Sequence, residues 1–270
     1  MPHAGNLNSI MPTALVTGAS SGIGLDLAKL LAARGHHLVL VARNRDALEA
    51  LASHCASRFR VNASVIVKDL SDPAAPQQIA DQLDQKSTTI DILVNNAGFG
   101  IHGPFADTDP AAQRALIQVN ITSLTELTRL LLPAMIRRRH GRILNVASTA
   151  AYVPGPFMST YYASKAYVLS YSVALARELR PLGVTVTALC PGPTRTAFGQ
   201  RAGMRDARLF RLATMDSHTV AEAGYRALMT GKTIAIPGLL NQLGAALSRL
   251  TPYAISSRIT ALLNGERKLQ

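Results

Sequence analysis

Short runs of apolar, mostly β-branched residues alternate with longer amphipathic stretches along most of this chain, and this alternation strongly constrains the fold. A short apolar run suits a buried strand, whereas apolar residues at three- and four-residue steps suit a helix. Strands that alternate with helices form βαβ units and therefore a parallel sheet. We predict an α/β fold, a doubly wound parallel sheet of about seven strands flanked by helices. The predicted strands are Ala14–Thr17, His37–Ala42, Asn62–Lys68, Ile90–Asn95, Gly141–Ala147, Val184–Cys190 and Thr233–Pro237.

The predicted helices fill the intervals between these strands. Leu124, Leu127, Leu131 and Met135 follow the spacing of one helix face. No internal repeat or linker divides the chain, so we expect a single domain. The predicted helices are Gly22–Arg34, Arg45–Arg58, Pro73–Gln85, Asp109–Arg137, Thr160–Arg180 and Thr219–Thr230.

Two terminal segments lie outside the alternation. Residues 1–10 are polar and irregular, and we expect them to be a disordered leader before the domain, residues 11–237. Residues 238–270 are expected to form amphipathic helices, broken at Pro252, that pack on the same domain. Three roles remain open for this segment: covering a pocket, forming an oligomer contact, or resting on a membrane surface.

Composition excludes several classes of protein. The chain has 270 residues, of which 48% are hydrophobic and 16% charged, as expected for a buried sheet rather than a disordered protein. No apolar run reaches the roughly eighteen residues of a membrane span. Cys55 and Cys190 lack the spacing of metal ligands, so we predict no metal and a cytoplasmic location. The net charge of +12 comes without a nucleic-acid motif, and we interpret it as a basic surface that binds no nucleic acid.

A glycine-rich segment follows the first predicted strand and opens the first predicted helix. It spans Thr17–Gly24, with the sequence TGASSGIG. Glycines permit a sharp turn and the close approach of a pyrophosphate, whose charge is stabilised at a helix N-terminus. The segment therefore predicts a Rossmann-type dinucleotide site. The expected contacts are Gly18, Ser20, Ser21, Gly22, Ile23 and Gly24.

A second constellation lies downstream, where Ser148 is followed by Tyr161 and then by Lys165 four residues later. A phenol is a poor acid or base near neutral pH because its ordinary pKa is about 10. A cation one helical turn away favours the phenolate, so Lys165 is expected to lower the pKa of Tyr161. The Ser148 hydroxyl would hold a carbonyl or alcohol oxygen beside the phenol. Together with a bound dinucleotide, this pattern indicates hydride transfer.

The end of the second predicted strand indicates which dinucleotide binds. It reads Val41-Ala42-Arg43-Asn44-Arg45, with no acid before Asp46. A carboxylate at this place would bond the 2′-hydroxyl of NAD, whereas an arginine suits the 2′-phosphate of NADP. We therefore predict NADP (NADPH) as the cofactor, with Arg43 on its phosphate.

The order and spacing of these motifs resemble the short-chain dehydrogenase/reductase family over roughly residues 13–196. The motifs are Thr17–Gly24, Asn95-Asn96-Ala97-Gly98, Ser148, Tyr161-Tyr162-Ala163-Ser164-Lys165 and Pro191-Gly192. The resemblance implies that Asp69 and Leu70 contact the adenine ring, that Asn96, Ala97 and Gly98 line the cofactor, and that Pro191, Gly192, Thr194 and Thr196 hold the nicotinamide. It also implies that Asn120 holds a proton-relay water, that Lys165 bonds the nicotinamide ribose, and that Asn95 pins the sheet.

The combined pattern predicts an NADP-dependent oxidoreductase that interconverts a carbonyl and an alcohol. We expect a homodimer or homotetramer, with Tyr162 as packing or pocket wall. A non-catalytic cofactor-binding or scaffold protein on the same fold is the alternative, although a tuned phenol would serve no purpose in it. Apolar side chains in the expected substrate wall favour a small apolar ketone or alcohol. They are Phe99, Phe105, Tyr152, Val153, Phe157, Met158, Phe198 and Met204, and the wall includes an arm near residues 195–215.

Overall fold

The structure is a computed structural model that describes residues 11–203 and 214–265. The predicted leader, residues 1–10, lies outside the described residues. So do residues 204–213 of the predicted arm, which include Met204, and residues 266–270 of the C-terminal segment.

The described residues form strands β1 (Thr13–Thr17), β2 (His37–Ala42), β3 (Ala63–Val67), β4 (Ile92–Asn95), β5 (Gly141–Val146), β6 (Val184–Leu189), β7 (Thr194–Arg195), β8 (Met215–Asp216) and β9 (Ile234–Ala235). Seven of these strands form one parallel sheet in the order β3-β2-β1-β4-β5-β6-β9, and the two short strands β7 and β8 pair separately. The strand order reverses at β1, between β2 and β4, which is the arrangement of a doubly wound sheet. The predicted fold class is therefore confirmed.

Helices cover both faces of the sheet. Side chains of one strand alternate between the two faces, so Val16 joins the buried cluster on one face, with Leu27 and Val220. Its neighbour Leu15 joins the cluster on the other face, with Leu127. The helices are α1 (Gly22–Ala33), α2 (Arg45–Phe59), α3 (Ala75–Gln85), α4 (Pro110–Ile117), α5 (Leu124–Arg137), α6 (Ser159–Leu179), α7 (Phe198–Arg201), α8 (Ser217–Thr230), α9 (Leu239–Ser248) and α10 (Tyr253–Asn264).

The predicted helix Asp109–Arg137 is interrupted. A π-helical turn, Gln118–Ser123, separates α4 from α5. Such a turn adds one residue to a helix, and apolar periodicity does not detect a single inserted residue. The consequence matters for the site because the turn contains Asn120.

The last strand of the sheet is shorter than predicted. Of Thr233–Pro237, only Ile234 and Ala235 pair with β6, opposite Ala188 and Leu189. Pro237 has no backbone N–H to donate to a ladder, and β9 is an edge strand, where such endings are tolerated.

After β9 the chain forms α9 and α10, and Pro252 directly precedes α10. Hydrogen bonds tie α10 to the body of the protein. Thr260 Oγ1 donates to the carbonyl of Pro154 at 2.6 Å, and Asn264 Nδ2 donates to the carbonyl of Pro156 at 3.0 Å. No helix within the described residues is long and apolar enough to cross a membrane.

Candidate active site

One cavity of about 930 Å³ opens at the carboxyl ends of the central strands. Ligands of doubly wound sheets bind at this edge, where the strand order reverses. Most of the predicted site residues line the cavity, and only Gly24 and Asn120 do not. The predicted residues in its wall are Gly18, Ser20, Ser21, Gly22, Ile23, Arg43, Asp69, Leu70, Asn96, Ala97, Gly98, Ser148, Tyr161, Lys165, Pro191, Gly192, Thr194 and Thr196.

The turn before α1 requires glycine at two positions. Gly18 and Gly22 have φ angles of +65° and +56°, which L side chains rarely adopt. A Cβ on Gly18 would lie 2.9 Å from the Cα of Ala97, and one on Gly22 would lie 2.9 Å from Cγ2 of Thr196. This turn thus exposes backbone rather than side chains to the cavity, as a pyrophosphate requires.

Gly24, which was also predicted as a cofactor contact, lies behind the cavity wall. A Cβ there would lie 2.3 Å from Nδ2 of Asn96 and 2.5 Å from the carbonyl oxygen of Gly18. Asn96 Nδ2 in turn donates to the carbonyl of Thr17 at 2.9 Å. Gly24 therefore allows α1 to pack closely on the turn, behind the cavity wall.

The end of the cavity beside β2 and β3 carries exposed charges. Arg43 Nη1 lies 3.7 Å from Asp69 Oδ2, and these side chains are 73% and 46% exposed. Burial alone would raise the pKa of Asp69, but hydrogen bonds from Ser71 and the charge of Arg43 together hold it below its usual value. An exposed ion pair contributes little to stability, so Arg43 can exchange this carboxylate for a phosphate at small cost.

Lys68 is a wall residue that the sequence analysis did not identify. It follows β3 directly, and its Nζ donates to Gln78 Oε1 at 2.6 Å. Its position in the sequence could have identified it, because a residue directly after a parallel strand lies at the carboxyl edge of the sheet, where ligands bind.

Ser148, Tyr161 and Lys165 come together as predicted. Ser148 follows β5, its hydroxyl is hydrogen-bonded to the Tyr161 phenol, and it also donates to the carbonyl of Pro191 at 3.4 Å. Tyr161 and Lys165 lie one turn apart on α6, with Lys165 Nζ 5.8 Å from the centroid of the phenol ring. Lys165 Nζ also donates to the carbonyl of Val146 at 2.8 Å.

The pKa of Tyr161 differs from the sequence-based expectation. Burial raises it well above its ordinary value, the hydrogen bond with Ser148 opposes this, and Tyr162 adds to it. Burial also lowers the pKa of Lys165 to about 8. In the protein alone, burial thus favours the protonated phenol at neutral pH.

Asn120 is buried in the π-helical turn, and both protons of its amide are used. Nδ2 donates to the carbonyl of Phe99 and to Ser164 Oγ, each at 3.0 Å, while Oδ1 accepts from the Phe99 N–H at 3.1 Å. A Cβ on Gly98 would lie 3.1 Å from Asn120 Oδ1 and 3.4 Å from Lys165 Nζ. Asn120 and Lys165 therefore approach the same side of Gly98. A water bound to the Asn120 side chain would have to use the second lone pair of Oδ1.

Asn95 has the structural task that the family resemblance implied. It is 3% exposed, and its Nδ2 donates to Thr128 Oγ1 at 3.0 Å and to Asn145 Oδ1 at 2.9 Å. Asn145 Nδ2 donates onward to Ser172 Oγ. This network joins β4 and β5 to helices α5 and α6, which fixes the strand ends that border the cavity.

The C-terminal segment lines part of the cavity, which is one of the three roles that the sequence left open for it. Of the predicted apolar residues, Phe99, Val153, Met158 and Phe198 line the cavity, whereas Phe105, Tyr152 and Phe157 do not. The additional wall comes from α9 and α10. It includes Leu240, Asn241, Leu247, Ile259 and Leu263.

Tyr162 supports this wall, as its prediction as a packing residue suggested. Its side chain is 6% exposed, and its hydroxyl donates to Asn264 Oδ1 on α10 at 3.2 Å. A Cβ on Gly155 would lie only 2.3 Å from the Tyr162 ring. Tyr162 therefore lines the same cavity as Tyr161, while its hydroxyl is engaged by the C-terminal helix.

Comparisons with known proteins agree with this geometry. Residues 12–206 match the family model described as short chain dehydrogenase. Dehydrogenase/reductase SDR family member 7B of Xenopus tropicalis is 31% identical over 271 residues, which cover 95% of this chain and 87% of that protein. Very-long-chain 3-oxoacyl-CoA reductase of Phaeosphaeria nodorum is 37% identical over 182 residues, which cover 64% of this chain but only 52% of the reductase.

Among solved structures, a short-chain dehydrogenase from Sphingobium yanoikuyae in complex with NADPH is 34% identical. It matches with a TM-score of 0.80 over 96% of this chain and 98% of that one. The fold and the cavity define an oxidoreductase of the dinucleotide-binding, doubly wound type. The chain belongs to the short-chain dehydrogenase/reductase family.

Proposed function

We propose that this protein is an NADP-dependent oxidoreductase that interconverts an apolar ketone and its alcohol. The observation that carries the proposal is the placement of Ser148, Tyr161 and Lys165 in the same cavity as the glycine turn before α1. A phenol held beside a hydroxyl and an ammonium can exchange a proton with a substrate oxygen.

The residues present fit a dinucleotide. Backbone at Gly18 and Gly22 is open to a pyrophosphate, and the N-terminus of α1 favours its negative charge. Pro191, Gly192, Thr194 and Thr196 line the other end of the cavity and would hold the nicotinamide, while Asp69 and Leu70 would contact the adenine. When bound, NADPH supplies a hydride to the carbonyl carbon.

Side chains of the protein itself carry out the proton transfer. In the direction of reduction, Ser148 and Tyr161 hydrogen-bond the carbonyl oxygen, and Tyr161 gives its proton to the oxygen as the hydride arrives. Burial favours this role because it keeps the phenol protonated. Lys165, an ammonium at neutral pH, then stabilises the phenolate that remains. Asn120 contributes by fixing the backbone of Phe99 and by presenting Oδ1 beside Lys165 for a relay water.

Arg43 supports NADP as the preferred cofactor. It lines the cavity at the end of β2, and no carboxylate occupies the strand end itself, where a 2′-hydroxyl would be bound. Asp69, which follows β3, already pairs with Arg43 and is expected at the adenine. The NADPH complex of the Sphingobium relative is consistent with this preference.

The substrate is proposed to be apolar because Val153, Met158 and Phe198 surround the catalytic hydroxyls, and α9 and α10 add further apolar wall. The similarity to a very-long-chain 3-oxoacyl-CoA reductase supports a carbonyl attached to a hydrocarbon chain. The competing proposal, a non-catalytic scaffold, explains neither the hydroxyl pair nor the buried ammonium.

A series of methyl ketones with alkyl chains of increasing length tests the substrate class. We expect kcat/KM to rise about threefold to fourfold for each methylene that enters the cavity, since burying one methylene contributes about 0.8 kcal/mol. The measurement is the loss of NADPH absorbance at fixed enzyme concentration. A profile that stays flat from the shortest to the longest ketone would contradict an apolar substrate pocket.

A further inference from the structure

An ordinary surface helix buries its apolar face and exposes its polar face. Helix α10 does the reverse, because its polar face is buried and most of its apolar face is exposed. Its inward face carries Ser256, Thr260 and Asn264, which are 4%, 7% and 0% exposed. Its outward face carries Ile255, Ile259 and Leu262, which are 52%, 51% and 67% exposed. Much of the apolar side of α10 is therefore exposed to solvent, although Ile259 also borders the cavity.

Specific hydrogen bonds hold α10 in this orientation. In addition to the bonds from Thr260 to Pro154 and from Asn264 to Pro156, the carbonyl of Asn264 lies 2.7 Å from His102 Nε2. Tyr162 donates to the Asn264 side chain. Because the polar face is matched to these partners, the outward position of the apolar face is built into the fold.

Helix α9 and the turn after it extend the apolar surface. Leu240, Leu243, Leu247 and Leu250 are between 59% and 84% exposed. We call the exposed apolar side chains of residues 239–262 the C-terminal face. Elsewhere in the described residues, the exposed large apolar side chains are Phe105, Ile117, Phe157, Val173 and Leu182, which are far fewer per length of chain. A concentration of exposed apolar side chains in one segment marks a contact with a partner or a membrane.

The charges around the C-terminal face favour an anionic partner. Residues 239–262, which carry this face, contain no aspartate or glutamate, but they contain Arg249 and Arg258. A two-fold contact between two copies would bring these like charges together, because both copies present the same surface. Anionic phospholipid headgroups complement them, while the apolar side chains enter the acyl boundary.

The C-terminal face is also continuous with the cavity. Leu240, Leu247 and Ile259 line the cavity and are at the same time more than half exposed. We propose that the C-terminal face docks on an anionic phospholipid surface, with α9 and α10 lying in the plane of the interface. Insofar as the proposed function holds, apolar substrate then passes from the bilayer into the cavity without crossing water.

Co-sedimentation of the full chain with vesicles tests the docking. One set of vesicles contains equal parts of phosphatidylcholine and phosphatidylglycerol, and the other contains phosphatidylcholine alone. We expect clearly stronger binding to the anionic vesicles, weakened by salt. The variant Leu243→Gln/Leu250→Gln/Leu262→Gln changes exposed side chains outside the cavity wall and should reduce binding by at least about tenfold. The control Val173→Gln/Leu182→Gln should bind like the wild type.

Three results would overturn the proposal: no binding of the wild type, equal binding to both kinds of vesicle, or equal binding of the triple variant and the wild type. A wild-type dimer that becomes a monomer in the triple variant, without vesicle binding by either, would assign the face to a second copy instead. Tyr161→Phe should still bind vesicles, so a failure of the proposed catalysis and a failure of the docking remain distinguishable.

Discussion

Tyr161→Phe is expected to reduce kcat for ketone reduction by about a hundredfold to ten-thousandfold, because it removes the general acid. The ring and its packing against Phe198 remain, so the variant should stay folded. The dissociation constant of NADPH should change little, since the phenol hydroxyl is directed at the substrate oxygen. Stopped assays of NADPH consumption and fluorescence titration of cofactor binding measure the two quantities separately.

Tyr162→Phe is the matched control, one residue along the same helix. It loses a hydroxyl that bonds Asn264 rather than the substrate, which costs about 1 kcal/mol of stability by the usual value for one hydrogen bond. Most of the catalytic rate should remain. If Tyr162→Phe abolished turnover while Tyr161→Phe preserved it, the assignment of the proton donor would be wrong.

Arg43→Ala is expected to weaken NADPH binding about tenfold to a hundredfold and to leave NADH binding nearly unchanged. A hydrogen bond to a charged group contributes about 1.5–3 kcal/mol, and NADH lacks the phosphate that Arg43 would hold. Arg45→Ala is the matched control because Arg45 pairs with Glu49 at 3.3 Å and does not line the cavity. Fluorescence titration of both cofactors gives the preference for each variant.

Ala42→Asp should shift the preference further. Ala42 lies at the end of β2 in the cavity wall, where a carboxylate would repel the phosphate and accept a bond from a ribose 2′-hydroxyl. Its NADH affinity should increase while its NADPH affinity falls. Equal weakening of both cofactors by Arg43→Ala, or a wild type that favours NADH, would contradict the role given to Arg43.

The central part of the fold could be predicted because each strand and helix carries its own local signal. Apolar runs such as His37–Ala42 form strands that are buried on both faces of the sheet. The turn has positive φ angles at Gly18 and Gly22, which glycine adopts more readily than other residues. The interruption at Asn120 gave no such signal, since a one-residue insertion hardly disturbs the apolar spacing. The raised pKa of Tyr161 in the protein alone comes from burial, which depends on the whole fold and is not visible in the spacing to Lys165.

The orientation of the C-terminal helices could not be predicted for a different reason. An amphipathic pattern indicates that a helix has one polar and one apolar face, and a surface helix usually packs its apolar face against the protein. In α10 the rule is reversed because Thr260 and Asn264 find partners at Pro154, Pro156 and Tyr162, more than a hundred residues earlier in the chain. Side-chain partners so distant in sequence become visible only in the folded structure.

Transfer of a labelled hydride tests the proposed reaction most directly. NADPH carrying deuterium at the transferring carbon is mixed with the protein and a long-chain methyl ketone, and the products are examined by mass spectrometry. Hydride transfer predicts an alcohol with one deuterium on the carbinol carbon, formed by the wild type and nearly absent with Tyr161→Phe. Tight NADPH binding with no deuterated alcohol from any ketone of the series would contradict it and favour a non-catalytic cofactor-binding protein.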